Sequence, residues 1–253
     1  SSAPGCLGLD RGSYDDAVRL HEMELWEKSF RENIACARAI EKTLRGEYAK
    51  TGPLPPDCAA KVLKEYGFKR VNFVLASTVL DMKDLPLVPA MFGEDTIAWA
   101  KSSGTVPDTV YGHFCCVEAP DNLLTAFLRQ TQEAYMALGL FDRGHCSTGM
   151  YEENVEGKVL VMDPSTLKES CWRQEDQLWL AEGGFGCEPK SSGRAIYAVC
   201  LSDGERTRWN REDFLGVLDE QYLPEWAAQK LKELRTQEQK PADGPGQGGM
   251  TMC

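Results

Sequence analysis

Residues 177–187 read Gln-Leu-Trp-Leu-Ala-Glu-Gly-Gly-Phe-Gly-Cys, and residues 193–209 read Gly-Arg-Ala-Ile-Tyr-Ala-Val-Cys-Leu-Ser-Asp-Gly-Glu-Arg-Thr-Arg-Trp. Asp203-Gly204 follows an apolar run, a combination typical of a tight hairpin because the two central turn positions need positive φ. We therefore predict a two-residue type I′ turn at Asp203-Gly204. It joins strands near Ala195–Leu201 and Arg206–Trp209.

Three further segments complete a β-rich module around this hairpin. Gln177–Ala181 and Val159–Met162 have strand character, and Gly183, Gly184 and Gly186 mark a bulge or a close backbone approach. A helix follows Pro224, with its predicted sheet-facing residues at Trp226, Ala227, Lys230, Leu231 and Leu234. The segment predicts a small curled antiparallel sheet or barrel with a C-terminal helix packed across it.

The N-terminal half has helical periodicity. One buried helical face is indicated by apolar residues at steps of three and four: Met23, Trp26, Phe30, Ile34, Ala37, Ile40, Leu44 and Tyr48. Ser13 and Asp16 resemble a capping box, which predicts a helix start at 13. An unbroken helix from 13 to 50 would be about 55 Å long at 1.5 Å per residue, so we expect a break near His21.

Shorter elements follow this long helix. Asp57 is expected to cap a helix that ends at Gly67, and a helix is favoured over a strand for Val71–Leu80. Asp95–Lys101 is a further short helix, Val110–Val117 a short strand, and Pro120–Leu138 an amphipathic helix.

These elements predict an α+β protein with two domains. We expect a helical domain with one short strand over 13–146, a linker over 147–157, and the small β-rich module with its helix over 158–235. Residues 1–12 and 236–253 are rich in small and polar residues, which is typical of disordered ends.

Composition limits the class of protein. The 253 residues carry a net charge of −11, which argues against nucleic-acid binding, and no apolar run approaches the roughly 20 residues of a membrane span. The ten cysteines follow no disulfide-framework spacing and no signal peptide precedes them, so we expect reduced thiols in a cytoplasmic protein. The chain begins at Ser1 without a methionine, as expected of a trimmed product or an excerpt of a longer polypeptide.

Several motifs in the N-terminal half resemble a family known only as a domain of unknown function, encoded on conjugative and integrative elements of anaerobic gut bacteria. The motifs are Trp26-Glu-Lys-Ser-Phe-Arg-Glu-Asn-Ile-Ala-Cys36, Arg70-Val-Asn-Phe-Val-Leu-Ala-Ser-Thr78 and Leu138-Gly-Leu-Phe-Asp-Arg-Gly-His-Cys146. Residues 177–226, with Gly-Gly-Phe-Gly-Cys, Asp-Gly-Glu, Arg-Trp-Asn and Leu-Pro-Glu-Trp-Ala, resemble a second module that recurs in such proteins. The resemblance implies an accessory role in a mobile element and no chemistry.

Two sets of residues are candidates for catalysis or metal binding. Imidazole and thiolate are zinc-compatible ligands, and they are supplied here by His113, Cys115, Cys116, His145 and Cys146. Against a metal site, no Cys-x-x-Cys pair is present, and cysteine is often buried simply as a small hydrophobe. Asp142, His145 and Cys146 suggest a cysteine nucleophile, but adjacent residues seldom present both side chains to one reacting atom.

The best candidates for a binding surface lie around the hairpin. They are Phe185, Arg206, Arg208, Trp209 and Arg211, since arginine pairs with carboxylates or phosphates and aromatic rings supply contact area. On a strand, Arg206 and Arg208 share one face and Trp209 lies on the other. The alternative, which we favour, has Trp209 in the core and the arginines paired with nearby acids.

The sequence therefore favours a non-enzymatic accessory protein of a mobile element that binds a protein partner. The predicted contacts are an acidic N-terminal surface and the hairpin, with no catalytic residue and no cofactor. One alternative is a metal-dependent or cysteine-based enzyme centred on the histidines and cysteines above. A second is nucleic-acid binding through Arg206, Arg208 and Arg211.

Overall fold

A computed structural model of the chain describes residues 11–48, 53–82, 96, 99–100 and 115–238. The chain divides into two compact units. The helical unit comprises Ser1–Gly139 and Leu167–Cys171, and the sheet unit comprises Leu140–Thr166 and Trp172–Cys253. Within the described ranges, no helix has the length and apolar character that a membrane crossing requires.

The described part of the helical unit contains α1 (Arg11–Arg19), α2 (Met23–Tyr48), α3 (Cys58–Tyr66), α4 (Phe68–Met82) and α5 (Asp121–Met136). The apolar faces of α2 to α5 form one buried core, in which Ile40, Leu75 and Phe127 are almost completely buried. The period of three to four in the sequence arises because each of these helices contributes one stripe to that core.

The predicted break in the long helix is confirmed. His21 lies between α1 and α2 with φ of 59°, and it is the one non-glycine residue with positive φ in the described ranges. The predicted start at Ser13 is wrong, because α1 begins at Arg11 and Ser13 lies inside its first turn. Asp57 precedes α3 as predicted, but its carboxylate accepts no capping bond and instead pairs with Lys61 at 2.6 Å.

The helix over Val71–Leu80 is confirmed as part of α4, and that over Pro120–Leu138 as α5. The predicted strand over Val110–Val117 is not seen in its described part, since residues 115–117 have no strand pairing. The Val117 N–H instead donates to Thr78 Oγ1 at 3.0 Å. Residues 110–114, and the greater part of the helix predicted over 95–101, lie outside the described residues.

The sheet unit contains six antiparallel strands: β1 (Cys146–Thr148), β2 (Val159–Met162), β3 (Leu178–Gly183), β4 (Ala195–Cys200), β5 (Arg206–Asn210) and β6 (Phe214–Leu218). Their order is β1-β6-β2-β3-β4-β5, so β1 and β5 are the outer strands of the described sheet, which is open rather than closed into a barrel. A four-residue helix α6 (Gln174–Gln177) precedes β3, and α7 (Glu225–Glu238) ends the described chain. The predicted α+β class is confirmed.

Helix α7 covers one face of the sheet. Ala227, Leu231 and Leu234 of α7 pack in one buried cluster with residues of the sheet and its connections. These residues are Phe141, Val161, Leu178, Leu180, Val199, Leu201 and Leu218. The alternation of β2, β3 and β4 places these strand residues on the α7 face. Trp226, which the sequence assigned to the packed side, is 36% exposed.

The boundary between the units lies at Gly139–Leu140 rather than in the linker predicted over 147–157. Cys146–Thr148 forms β1 and pairs with β6, and Val155 is fully buried, so this polar stretch belongs to the sheet unit. The predicted disordered ends lie mostly outside the described residues, but α1 includes residues 11 and 12 and α7 reaches Glu238.

A short return segment completes the helical unit. Leu167–Cys171 lies between β2 and β3 in sequence but clusters with the helices. Glu169 accepts hydrogen bonds from the first two backbone amides of α4, Phe68 N–H at 2.8 Å and Lys69 N–H at 2.6 Å. A carboxylate at a helix N-terminus satisfies otherwise unpaired N–H groups. Glu169 is therefore the cap of α4, supplied from 100 residues away.

Candidate functional site

The connection between β3 and β4, residues 183–194, is the most unusual surface feature of the sheet unit, and we call it the Phe185 loop. Gly183 and Gly184 have φ of 152° and 114°. A Cβ on Gly184 would lie 2.4 Å from the Ala195 carbonyl oxygen, and one on Gly186 would lie 2.3 Å from the Arg194 carbonyl oxygen. Only glycine fits at both positions, and the predicted bulge is confirmed by the register shift between Ala181 and Gly183.

The buried side chain of Arg211 fixes the backbone of this loop by hydrogen bonds. Its side chain is buried, with 2% of the residue exposed. The guanidinium donates to four backbone carbonyls of the loop: Gly186 at 2.7 Å, Glu188 at 2.5 Å, Phe185 at 3.3 Å and Gly193 at 3.4 Å. It also lies 4.7 Å from the ring centroid of Tyr151. A planar cation with five donors is suited to satisfy several carbonyls of an irregular backbone at once.

Phe185 projects from this fixed backbone into solvent. It is 77% exposed, the highest value among the large apolar residues of the described chain. It begins a short 3-10 turn, Phe185–Cys187, in which Gly186 and Cys187 are buried. Fully burying such a side chain is worth about 1.5–3 kcal/mol. The loop therefore presents an unused apolar group in a defined position.

The β4–β5 pair places three more exposed groups on one face of the sheet. Arg206 donates from Nε to both carboxylate oxygens of Glu182 at 2.9 and 3.2 Å. Arg208 is exposed and, within the described residues, has no ion-pair or hydrogen-bond partner for its side chain. Its β4 neighbour is Tyr197, which is 54% exposed. Tyr197 was missed from the sequence, although the apolar residues on either side of it predict an outward position.

The predicted separation of Trp209 from the arginines of β5 is consistent with the strand geometry. Trp209 is half-buried and meets Trp179 edge to face at 5.3 Å. Its Nε1 is buried without a hydrogen-bond acceptor in the described part of the chain. Arg211 does not join Arg206 and Arg208 on the surface, because its guanidinium is committed to the Phe185 loop. The three arginines therefore form no single exposed patch.

The hairpin at Asp203-Gly204 is confirmed, but its turn is not of type I′. Gly204 has φ of 82°, whereas Asp203 is not among the residues with positive φ. The connection spans Leu201–Gly204, with Cys200 N–H donating to Glu205 O at 2.8 Å and Gly204 N–H to Cys200 O at 2.9 Å. The Asp203 carboxylate accepts from Glu205 N–H at 2.9 Å, which stabilises the longer loop.

The candidate metal ligands do not meet within either unit. Cys115 and Cys116 are buried in the helical unit, where the Cys116 thiol lies 3.8 Å from the Ser77 carbonyl oxygen. His145 and Cys146 belong to the sheet unit, and His113 lies outside the described residues. Among the residues with described positions, no group of three or more His, Cys, Asp and Glu side chains is placed to hold a metal ion.

Asp142, His145 and Cys146 form a turn rather than a nucleophilic site. His145 Nδ1 lies 2.7 Å from Asp142 Oδ1, and the same carboxylate oxygen accepts from Gly144 N–H at 2.8 Å. The His145 ring packs against Phe141 and Tyr222 at 5.3 and 4.8 Å. Burial raises the pKa of the Cys146 thiol, which opposes formation of a thiolate.

Comparison with known proteins adds a family and no chemistry. A family model described as "Protein of unknown function (DUF3849)" matches residues 10–136. No curated protein and no solved structure matches the chain. The matched range covers α1 to α5, whereas the Phe185 loop and the whole six-stranded sheet lie beyond it.

Proposed function

Because the chain belongs to the DUF3849 family of proteins of unknown function, we propose its role from its own surface: it is a non-enzymatic protein that binds a protein partner through the Phe185 loop. The observation that carries the proposal is the 77% exposure of Phe185 on a backbone held by Arg211. Aromatic anchors dominate the energy of protein interfaces. A loop that is already ordered loses little conformational entropy on binding.

The predicted acidic N-terminal surface contributes less to this proposal than the loop does. Several acids of α2 are engaged within the helical unit: Glu27 pairs with Arg31 at 2.7 Å, and Glu32 pairs with Arg70 at 2.6 Å. The Glu27–Arg31 pair is exposed, as is typical of a solvated helix face, whereas Glu32 is held by the buried Arg70. The Phe185 loop offers apolar area that has no internal use, so we place the main contact there.

The setting of this activity is also a proposal. The motifs around Trp26, Arg70 and His145, and the second module over 177–226, resemble proteins of conjugative and integrative elements. We therefore propose an accessory role in such an element, in which the C-terminal module recurs as the partner-binding part. All eight cysteines of the described residues are free thiols, which supports a reducing, cytoplasmic location.

A capture experiment tests the proposed function. The full chain is immobilised and exposed to lysate of the natural host, in parallel with Phe185→Ala and with the control variant Met136→Ala. Met136 is 68% exposed in the helical unit, so it matches Phe185 in exposure and apolar character. We expect a partner that is retained by the wild type and by Met136→Ala and falls at least about tenfold with Phe185→Ala, as for an interface anchor worth 2 kcal/mol or so.

The same samples give the outcomes that oppose the proposal. Equal capture by all three proteins, or no captured partner, removes the assigned role of Phe185. Urea midpoints of the variants should equal that of the wild type, since neither residue is buried. Stoichiometric zinc in untagged protein, lost on His145→Ala, would instead favour the metal-dependent alternative.

A further inference from the structure

Among the described residues no strand pairs with the outer side of β5, and part of the β5 backbone is directed to that side. Two bonds flank the strand on its β4 side, from Cys200 N–H to Glu205 O at 2.8 Å and from Arg211 N–H to Arg194 O at 2.8 Å. Antiparallel strands alternate, so Thr207 and Trp209 direct their N–H and C=O groups toward β4. Arg206 and Arg208 then direct theirs outward.

The residue at the end of the strand supports this assignment. The Asn210 N–H, which the alternation also directs outward, donates to Asp213 Oδ2 at 2.7 Å rather than to β4. Asp213 thus closes one end of the edge. The N–H and C=O groups of Arg206 and Arg208 have no backbone partner in the described part of the chain, so they form a two-residue template for another strand.

Side chains next to this template favour an acidic partner. Arg206 and Arg208 project from the same face of β5, next to the exposed Tyr197 of β4. Arg206 is already paired with Glu182, but both groups of that pair keep solvent exposure. Arg208 has no side-chain partner in the described ranges, so its charge is available to a carboxylate.

We propose that β5 binds an extended acidic segment of a partner protein, which adds to the sheet as a seventh strand. This inference rests on the proposed function and gives the partner a chemistry. The outward backbone groups of Arg206 and Arg208 supply main-chain hydrogen bonds, and Arg208 selects Asp or Glu. The Phe185 loop leads directly into Ala195, whose partner on β5 is Asn210, two residues beyond Arg208, so one extended partner can reach both.

A second copy of the chain is a poor occupant of this edge. Any antiparallel self-pairing that uses the outward groups of both arginines places arginine opposite arginine. Like charges directly opposite one another destabilise a strand pair. The other outer strand of the described sheet, β1, has three residues and offers a shorter template.

A labelled peptide tests the edge directly. The probe is the fluorescein-labelled heptapeptide Asp-Val-Asp-Val-Asp-Val-Asp, titrated with the full chain and followed by fluorescence anisotropy. We expect saturable binding, at least about tenfold weaker binding of the Lys-Val counterpart, and loss of binding when alternate peptide amides of the acidic probe are N-methylated. Hydrogen exchange should show protection of the Arg206 and Arg208 amides.

Two substitutions at one position separate charge from backbone. Arg208→Ala removes the guanidinium and keeps the outward N–H, so we expect binding to weaken several-fold. Arg208→Pro removes the N–H as well, and proline is tolerated where an edge strand faces solvent, so we expect no binding by a protein that still folds. Double substitution of Arg206 and Arg208 by glutamate should transfer the preference to the Lys-Val peptide.

Each outcome has a definite meaning. Failure of the wild type to bind the acidic peptide, equal binding of the N-methylated peptide, or equal binding by Arg208→Pro would overturn the inference. A host partner lost with Phe185→Ala but fully retained by Arg208→Pro would keep the proposed function and reject the seventh strand. Peptide binding at β5, together with a host partner that is fully retained by Phe185→Ala, would keep the seventh strand and reject the role of Phe185.

Discussion

Among the described residues, each unit buries one arginine, and the two arginines have different partners. In the helical unit, Arg70 on α4 donates to Asn33 at 2.5 Å and to Glu32 at 2.6 Å, both on α2. In the sheet unit, Arg211 donates only to backbone carbonyls, and no carboxylate of the described residues lies within ion-pair distance of it. Arg70 links the side chains of two helices, whereas Arg211 donates hydrogen bonds to the backbone carbonyls of the loop between β3 and β4.

This difference indicates which unit depends more strongly on its buried arginine for stability. The backbone groups of α2 and α4 are already satisfied within the helices, so loss of Arg70 affects side chains alone. Of the four carbonyls that Arg211 reaches, those of Phe185 and Glu188 also accept from loop N–H groups, whereas those of Gly186 and Gly193 accept from no backbone N–H in the described residues and depend on Arg211. A buried acceptor left without a donor costs about 1–3 kcal/mol. The sheet unit should therefore depend more on its arginine than the helical unit does.

The largest expected effect is that of Arg211→Met. It keeps much of the side-chain volume and removes every donor, so we expect a loss of about 3–5 kcal/mol in the free energy of unfolding. Urea unfolding gives the loss, and hydrogen exchange should show deprotection confined to residues 183–194 and their contacts. Arg211→Lys serves as control with an intermediate loss, because an ammonium cannot reach all four carbonyls. If Arg211→Met lost less free energy of unfolding than Arg70→Met, the sheet unit would not depend more on its buried arginine than the helical unit does.

Arg70→Met is the matched change in the helical unit. Glu32 is partly exposed and can be hydrated, whereas the buried Asn33 loses the hydrogen bond from Arg70, so we expect a loss of about 2–3 kcal/mol. Circular dichroism at 222 nm during urea unfolding measures it. Unchanged exchange in the Phe185 loop would sharpen the comparison, and deprotection there would contradict independent roles for the two arginines.

Gly204→Val tests whether the hairpin depends on its one left-handed residue. There is open space around Gly204, so the expected loss of about 1–3 kcal/mol comes from a β-branched residue at φ of 82° and from no clash. Trp209 should become more exposed, giving a red-shifted tryptophan emission. Gly46→Val, in open space within α2, controls for the added side chain. Equal midpoints for Gly204→Val and the wild type would oppose the assigned turn.

The smallest effect concerns alkaline pH. Burial raises the pKa of Cys36 in α2 to about 12 and that of Cys187 in the Phe185 loop to about 11. The unfolded thiols release their protons near pH 9 while the folded thiols keep them, so stability is complete below pH 9 and falls as pH rises toward those values. At pH 10 the loss should be on the order of 1 kcal/mol per thiol.

Alanine variants assign that alkaline loss to one unit or the other. Cys36→Ala should flatten the pH dependence of the helical unit between pH 9 and 10, and Cys187→Ala that of the sheet unit. Urea midpoints at pH 7, 9 and 10, read separately by exchange in each unit, provide the measurement. A slope that survives both substitutions would show that other groups titrate.

Local signals in the sequence predicted the elements well. The apolar stripe of α2, the proline before α5 and the Asp-Gly pair each reflect contacts between residues close in sequence, so their consequences are visible in one segment. The type I′ turn was wrong because a single glycine at positive φ also fits a longer loop. The Ser13 cap was wrong because serine followed three residues later by an acid also occurs inside helices, and α1 already begins at Arg11.

The candidate site was harder to predict, because its central contact is not local. In the sequence, Arg211 resembles a surface residue beside Arg208. Nothing in residues 206–211 indicates that its guanidinium donates to carbonyls near Phe185. The glycines at 183, 184, 186 and 193 were the available signal, since such density indicates close backbone approach. The linker over 147–157 was misplaced for a similar reason: the pairing of β1 with β6 spans about 70 residues.

The Glu169 cap makes the helical unit a discontinuous piece of the polypeptide. A recombinant fragment ending at Gly139, close to the end of the family match, would retain α1 to α5 but leave the Phe68 and Lys69 amides without their carboxylate. Gly67 lies so close that a Cβ there would be 2.6 Å from Glu169 Oε2, so the two positions are coupled. Any natural or engineered exchange of the sheet unit must carry an acid at this point of its β2–β3 connection, or replace Gly67 and Glu169 together.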